Sequence, residues 1–256
     1  MKQMIKNRQG LELAVVVEYE GSNMGLAFIV HGLGGFKEQV HIRAMAEAFL
    51  SKNYAVVTYD ATNTIGESGG KMENATLTNY FEDLEDITNW AIKQTWYREP
   101  FIVAGHSLGG ASSLMFAAKY PNKVKAIVPV SAFTGIDLQE GNWKKDPEVS
   151  EWQKRGYKLE ESKGKPGVMK KIGWVFMEDA LTHDMRTVAS HIKCDALFIT
   201  GSDDELCSPH YQQMVIDKLG GGKAELHVIQ RMAHNPRSEE HNMQLKHLIE
   251  EWLERL

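Results

Sequence analysis

Cysteine and long apolar runs are both scarce in this chain of 256 residues. The two cysteines, Cys194 and Cys207, form neither a C-x-x-C pair nor a metal-ligand spacing, which predicts free thiols in a reducing compartment. No apolar run approaches the roughly 20 residues of a membrane span, and the polar N-terminus MKQMIKNRQG lacks the apolar core of a signal peptide. These absences predict a cytoplasmic protein with no membrane span and no metal site.

No Lys/Arg tract stands out either, and 29 basic against 34 acidic residues give a net charge of −5. Nucleic acid is therefore not an expected partner. Hydrophobic residues make up 43% of the chain and charged residues 25%, an ordinary globular balance. The length suits one large α/β domain or two small ones, and the sequence leaves the oligomeric state open.

Short apolar runs alternate with helical stretches along most of the chain. The predicted strands are Leu11–Tyr19, Leu26–Val30, Ala55–Tyr59, Phe101–Ala104, Ala126–Val130, Ala196–Thr200 and Ala224–Ile229. The predicted helices are Glu38–Lys52, Thr78–Trp96, Gly110–Tyr120, Pro209–Leu219 and Pro236–Leu256, the last with Asn235 as N-cap candidate. The middle strands are continuously apolar, as parallel strands buried on both faces are. The alternation predicts an α/β fold with a doubly wound, mostly parallel sheet.

The stretch Thr134–Met185 interrupts this rhythm. It is rich in Lys and Glu, holds three of the six tryptophans and contains no strong strand run, whereas short helices are expected at Pro147–Gly156 and Gly173–Met185. We interpret it as a helical insertion over the carboxyl edge of the sheet, where open α/β folds bind ligands. Alternatively, its aromatic residues form only a small structural core.

The pentapeptide Gly105–Gly109 reads GHSLG and follows the apolar run Phe101–Ala104. In this strand–turn–helix context, G-x-S-x-G is typical of a nucleophile elbow, which raises the hydroxyl of Ser107 above the sheet edge. Glycines flank the serine because side chains there would collide with the adjoining strand and helix. The alternative is a glycine-rich turn with an incidental serine.

A serine nucleophile needs a base and a group that orients it, and elbow enzymes supply them in the chain order serine, acid, histidine. Asp203, Asp204 and Glu205 compete for the acid on the loop after the predicted strand Ala196–Thr200, with Asp204 favoured over Asp203. A carboxylate on that loop lies at the catalytic edge of the sheet.

His234 is the candidate base because it lies between the predicted strand Ala224–Ile229 and the last helix. The chain has ten histidines, and the others are less suitable. His227 falls inside a strand, and His241 and His247 fall inside the last helix. His106 directly precedes Ser107, so we expect its side chain to point away from the Ser107 Oγ.

Two backbone N–H groups are expected to form the oxyanion hole. One belongs to Leu108, the residue after the nucleophile, and the other to Leu33 in the loop His31–Gly35, which reads HGLGG. The alternative for this loop is a dinucleotide-binding turn, with Asp60 as the only clear acid at a second strand end. The loop lacks the third glycine of G-x-G-x-x-G, so no cofactor is predicted.

The motifs HGLGG, GHSLGG, GSDD…SP and AH, in this order, resemble those of the α/β-hydrolase superfamily over nearly the whole chain. Within it the chain is similar to the cinnamoyl (feruloyl) esterase-like branch, near the serine aminopeptidase and monoglyceride lipase types. Those proteins carry a helical insertion at the position of Thr134–Met185. The resemblance aligns their acid with Asp204 and their histidine with His234.

The chain departs from this pattern in three loops. The loop after Asp60 reads ATNTIGES, which is longer than usual and lacks a glycine. Leu108 stands where cinnamoyl esterases often carry glutamine, and the residue after His234 is not hydrophobic. These departures leave the triad intact and leave the substrate open.

The sequence thus predicts a single α/β-hydrolase domain over 1–256, with a cap insertion at about 134–185. The expected activity is hydrolysis of small or medium carboxylic esters, feruloyl esters included, through an acyl-enzyme at Ser107. The expected partner is therefore a small-molecule ester. Other acyl-transfer activities on the same site, such as thioesterase, peptidase, monoglyceride lipase or acyltransferase, are alternatives. A non-catalytic binding module on the same fold is another.

Overall fold

The apolar runs form strands in the computed structural model of the protein, which describes residues 1–20 and 25–256. The strands are β1 (Lys2–Lys6), β2 (Glu12–Glu18), β3 (Gly25–Val30), β4 (Tyr54–Tyr59), β5 (Phe101–His106), β6 (Val124–Val130), β7 (Tyr157–Glu161), β8 (Met169–Gly173), β9 (Asp195–Gly201) and β10 (Ala224–Ile229). Eight of them make one sheet in the order β1-β2-β4-β3-β5-β6-β9-β10, and β7 and β8 pair separately.

The sheet is antiparallel only at one end, where β1 pairs with β2 and β2 with β4. The remaining strands run parallel, as predicted. Val30 lies opposite Gly105, and Val130 lies opposite Ile199. The carboxyl ends of β3, β5, β6 and β9 therefore meet at one edge, and the loops that leave them are neighbours.

Helices cover both faces of the sheet. They are α1 (Val40–Ser51), α2 (Leu77–Ala91), α3 (Leu108–Lys119), α4 (Ile136–Glu140), α5 (Pro147–Arg155), α6 (Val175–Ala180), α7 (Met185–Ala189), α8 (Pro209–Ile216) and α9 (Glu239–Leu253), with 3₁₀ turns at Met72–Asn74 and Asn142–Lys145. Buried side chains of α1 and α9 form the core on one face. Those of α2, α3, α7 and α8 form the core on the other. No helix in the described ranges is both long and apolar enough to cross a bilayer.

The predicted start of the last helix is wrong. Asn235 and Pro236 carry a plausible capping signal, but α9 begins three residues later, after Ser238. The Ser238 side chain accepts a hydrogen bond from the backbone N–H of His241, which satisfies one of the free donors of the first turn. The residues before Ser238 therefore stay in the loop that carries His234.

The insertion contains a hairpin that the sequence did not predict. β7 reads YKLEE and β8 reads MKKIG, and most of their residues are partly or fully exposed, so no apolar run marks them. The hairpin lies over the sheet edge: a side-chain carbon added at Gly34 would come within 2.7 Å of Lys170. The insertion closes at its base, where the Met185 N–H donates to the Thr134 carbonyl oxygen at 2.9 Å.

Candidate active site

Ser107 lies on a strained turn between β5 and α3. Its backbone has φ 54° and ψ −113°, in the region of positive φ that residues other than glycine rarely adopt. The turn is tight enough that a side-chain carbon at Gly109 would lie 2.1 Å from the Val30 carbonyl oxygen, and one at Gly105 would lie 2.3 Å from the Gly109 carbonyl. The two flanking glycines are therefore required, as the elbow motif predicts.

The structure brings the three predicted triad side chains together. His234 Nε2 lies 3.0 Å from Ser107 Oγ. His234 Nδ1 lies 3.0 Å from Asp204 Oδ2 and 3.2 Å from Asp204 Oδ1. The histidine thus has the serine hydroxyl on one ring nitrogen and the carboxylate on the other, which is the geometry of a nucleophile, its base and the group that orients the base.

Asp204 is set apart from its acidic neighbours by burial. Its side chain is fully buried, and its Oδ1 accepts hydrogen bonds from the backbone N–H groups of Leu206 and Cys207. Burial by itself would raise the pKa of Asp204, but the contact with His234 and the Cys207 N–H lower it below the ordinary value. Asp203 and Glu205 are exposed, and the Asp203 carboxylate accepts from the Ser202 hydroxyl instead.

The loop after β3 lies directly against the nucleophile. A side-chain carbon at Gly32 would come within 3.1 Å of the Ser107 Cβ, so the next N–H along the chain, that of Leu33, lies at the same edge. The N–H of Leu108 is at the first position of α3, where no helical carbonyl precedes it to accept. Within the described residues, no backbone carbonyl accepts from the Leu33 N–H. Both groups remain candidate oxyanion donors.

His106 contacts the candidate base, and His41 contacts His106, in a way that the sequence did not predict. His106 Nε2 lies 2.8 Å from the backbone oxygen of His234 and so helps to hold the base. Its ring packs between those of His41 and His234, at 4.5 and 5.0 Å between centroids. Burial lowers the pKa of His41 to about 3 and that of His106 well below its ordinary value, so both rings are neutral. Only the position of His106 beside the serine could have drawn attention to this stack.

A buried ion pair joins the loops after β3 and β4. The Lys37 ammonium donates to Asp60 Oδ2 at 2.8 Å, and the Lys37 and Glu67 N–H groups donate to the same carboxylate. Burial would raise the pKa of Asp60, but the Lys37 ammonium and the N–H donors of Lys37 and Glu67 keep it below the ordinary value. The carboxylate oxygens are therefore occupied within the protein. Asp60 cannot serve as the ribose ligand that a dinucleotide site requires.

A mostly parallel sheet with a serine elbow at its carboxyl edge defines the class: this is an α/β-hydrolase fold. The chain matches the family model Hydrolase_4, described as serine aminopeptidase, S33, over residues 21–241, and it belongs to that family.

Solved structures with similar folds include Est1E from Butyrivibrio proteoclasticus with ferulic acid bound. It has a TM-score of 0.82 and 21% identity, covering 99% of this chain and 98% of that one. Mouse alpha/beta hydrolase domain-containing protein 10 has a TM-score of 0.79 and 17% identity, covering 100% and 99%. Among curated proteins, human mitochondrial palmitoyl-protein thioesterase ABHD10 is 22% identical over 250 residues, covering 98% of this chain and 79% of that one.

Proposed function

We propose that this hydrolase is a serine esterase that cleaves small or medium carboxylic esters through an acyl-enzyme on Ser107. The observation that carries the proposal is the continuous contact from Ser107 Oγ through the His234 ring to Asp204, with 3.0 Å at each step. An incidental serine in a glycine-rich turn would not require a histidine on its hydroxyl and a buried carboxylate behind that histidine.

In this proposal, His234 Nε2 takes the hydroxyl proton as Ser107 Oγ attacks the carbonyl carbon of the ester. Asp204 holds Nδ1–H and stabilises the imidazolium that forms. The carbonyl oxygen becomes an anion, which the N–H groups of Leu33 and Leu108 stabilise. His234 then gives its proton to the departing alcohol, which leaves the acyl group on Ser107. A water molecule, activated by the same histidine, releases the acid. The scheme uses no metal or organic cofactor.

The insertion is proposed to shape the acyl pocket. Leu33, Phe133 and Phe176 pack against both the sheet core and the core of the insertion. The Phe133 N–H also donates to the Ser107 carbonyl oxygen, so this apolar junction lies next to the nucleophile. Pockets for acyl groups are mostly apolar with a few placed polar groups. We propose that a flat or aliphatic acyl group binds at this junction; ferulic acid is the molecule bound in the Est1E structure.

Thioester hydrolysis is the second candidate, because the human relative is named as a palmitoyl-protein thioesterase. The attack on the carbonyl carbon and the acyl-enzyme are the same for both substrates, and only the leaving atom differs. Peptidase, lipase or acyltransferase activity would use the same three side chains. A non-catalytic binding module would carry them without catalysing a reaction. A cytoplasmic location and a single domain over 1–256, with a cap at about 134–185, stay predictions.

A fluorophosphonate probe tests the nucleophile. The wild type should be labelled at Ser107, and the Ser107→Ala variant should not be labelled and should lose activity by about 10⁶-fold, as triad knockouts do. A matched pair of oxygen ester and thioester with the same acyl group then separates the two candidates by kcat/KM. Labelling of Ser107→Ala at another serine would overturn the assignment, and a labelled protein inert on every acyl substrate would indicate a binding module.

A further inference from the structure

A buried thiol lies beside the orienting half of the triad. Cys207 is only 2% exposed, and its backbone N–H donates to Asp204 Oδ1 at 2.8 Å. A Cys207 sulfur, an Asp204 oxygen and a His234 ring nitrogen all lie within 4.8 Å of one another. The scheme proposed for ester hydrolysis makes no use of this thiol.

The three groups have the donor chemistry of a thiophilic metal site. Thiolate, imidazole and carboxylate are the protein ligands of Zn²⁺, with bond lengths of about 2.0–2.3 Å that place tetrahedral ligand atoms about 3.5 Å apart. Movements of about an ångström therefore bring the three atoms onto one ion. A thiolate and an imidazole favour soft or borderline cations over Mg²⁺ and Ca²⁺, which prefer oxygen.

We propose that Asp204, Cys207 and His234 form an inhibitory site for a thiophilic divalent cation, Zn²⁺ or Cd²⁺. The cation displaces the proton of the Cys207 thiol, which leaves to solvent, and the sulfur binds as thiolate. Asp204 binds as the carboxylate it already is, and His234 binds through the lone pair of Nδ1. The three ligands then carry two negative charges, which balance those of the ion.

Inhibition follows from the tautomer of His234. To bind the ion through Nδ1, the neutral ring must carry its proton on Nε2. That nitrogen faces Ser107 Oγ at 3.0 Å and can then no longer accept the hydroxyl proton. His234 is also the only one of the three side chains with appreciable exposure, 18%, so an ion reaches the cluster past its ring.

Titration of the metal-free protein with Cd²⁺ tests binding independently of substrate, by calorimetry and by the ultraviolet charge-transfer absorption of a cadmium–thiolate bond. Cys207→Ser and Cys207→Ala should each lose this absorption and bind at least about 100-fold more weakly, since even outer partners of metal ligands matter 10–100-fold. Cys194→Ser is the matched control, because Cys194 lies outside the cluster, and it should behave as the wild type. Ser107→Ala should still bind, because Ser107 is not a ligand.

The inhibitory role is measured as the rate of fluorophosphonate labelling with and without Zn²⁺, with Mg²⁺ as the hard-cation control. Zn²⁺ should slow labelling of the wild type and of Cys194→Ser, EDTA should restore it, and Mg²⁺ should have no effect. Equal Cd²⁺ affinity in the wild type and both Cys207 variants would overturn the site. Binding that leaves the labelling rate unchanged would overturn the inhibition. Because Ser107→Ala should bind Cd²⁺ although it is inactive, the metal site is tested even if the protein proves not to hydrolyse esters.

Discussion

The polar groups at the carboxyl edge of the sheet are held from several separate segments, whereas those of the insertion mostly find partners inside the insertion itself. Asp204, for example, is buried against the loop of His234, 30 residues away in the chain. By contrast, the Trp152 indole donates to the Ile172 carbonyl oxygen, and Lys170 pairs with a Glu160 that is 41% exposed. A group held from several segments keeps its position when one contact is lost. The edge is therefore held in a fixed geometry by contacts from distant parts of the chain. The insertion relies more on its own contacts and is tied to the rest of the molecule at a few points, among them the hydrogen bonds of Thr78 to Asp179.

The largest expected effect is on kcat, from a substitution at Asp204, whose buried side chain contacts His234 at the sheet edge. Asp204→Asn should lower kcat by about 10⁴-fold, because an amide favours the wrong tautomer of His234. Asp203→Asn, on the exposed neighbour, should cost less than about tenfold. Steady-state kinetics on one activated ester, normalised to active-site titre, compares the two. A larger loss in Asp203→Asn would show that Asp203 rather than Asp204 orients the base.

The next largest effect compares one glycine from each region. Gly109→Ala drives a carbon against the Val30 carbonyl oxygen and should lower the free energy of unfolding by more than about 3 kcal/mol, since backbone cannot yield as a side chain does. Gly156, in the insertion, has a positive φ of 77°, and nothing lies within 4 Å of an added carbon. Gly156→Ala should therefore cost only about 1–2 kcal/mol of backbone strain. Urea unfolding followed by tryptophan fluorescence measures both, and equal losses would contradict the contrast.

Substrate preference should depend on the insertion. Phe176→Ala removes a ring at the junction with the sheet core and should change the kcat/KM ratio of hydroxycinnamate ester to butyrate ester by about 10–200-fold. Trp143→Ala, which removes a ring packed only on the insertion core, should leave the ratio within about twofold. If both variants keep the wild-type ratio, the insertion is structural and specificity lies elsewhere, with the loop Thr62–Gly70 the next place to look.

The smallest expected effect is on the free energy of unfolding at acidic pH, through His41, whose ring packs on that of His106. The pKa of His41 is about 3 in the folded protein against about 6.5 in an unfolded chain, so unfolding takes up a proton below about pH 6.5. The stability that neutral His41 contributes is complete above pH 6.5 and is lost as the pH falls toward 3, by about 2 kcal/mol between pH 7 and 5. His41→Leu should remove that part of the slope in urea titrations. An unchanged slope would show that His41 already titrates near its usual value.

The sequence predicted the parallel sheet because its strands are continuous apolar runs bounded by turns, and β10 was placed at its observed limits, Ala224–Ile229. It also picked out the three residues that the structure brings together, since each follows a strand at the carboxyl edge. The hairpin of β7 and β8 was not predicted because most of its residues are partly or fully exposed, so its strands carry no apolar periodicity. The bond from His106 to the backbone of His234 spans 128 residues and leaves no local pattern.

The base of the insertion is closed by the hydrogen bond from Met185 to Thr134, and the strands on either side, β6 and β9, pair directly with each other. The register between β6 and β9 is therefore set by their own pairing and not by the conformation of the segment that connects them. The entropy of closing a loop rises only slowly with its length, so segments of quite different size can span the same two points. The segment between Thr134 and Met185 could therefore be replaced by one of another length without changing the pairing of β6 with β9. A foreign segment grafted between residues 134 and 185 would lie over the same sheet edge as the native one, beside the proposed nucleophile Ser107.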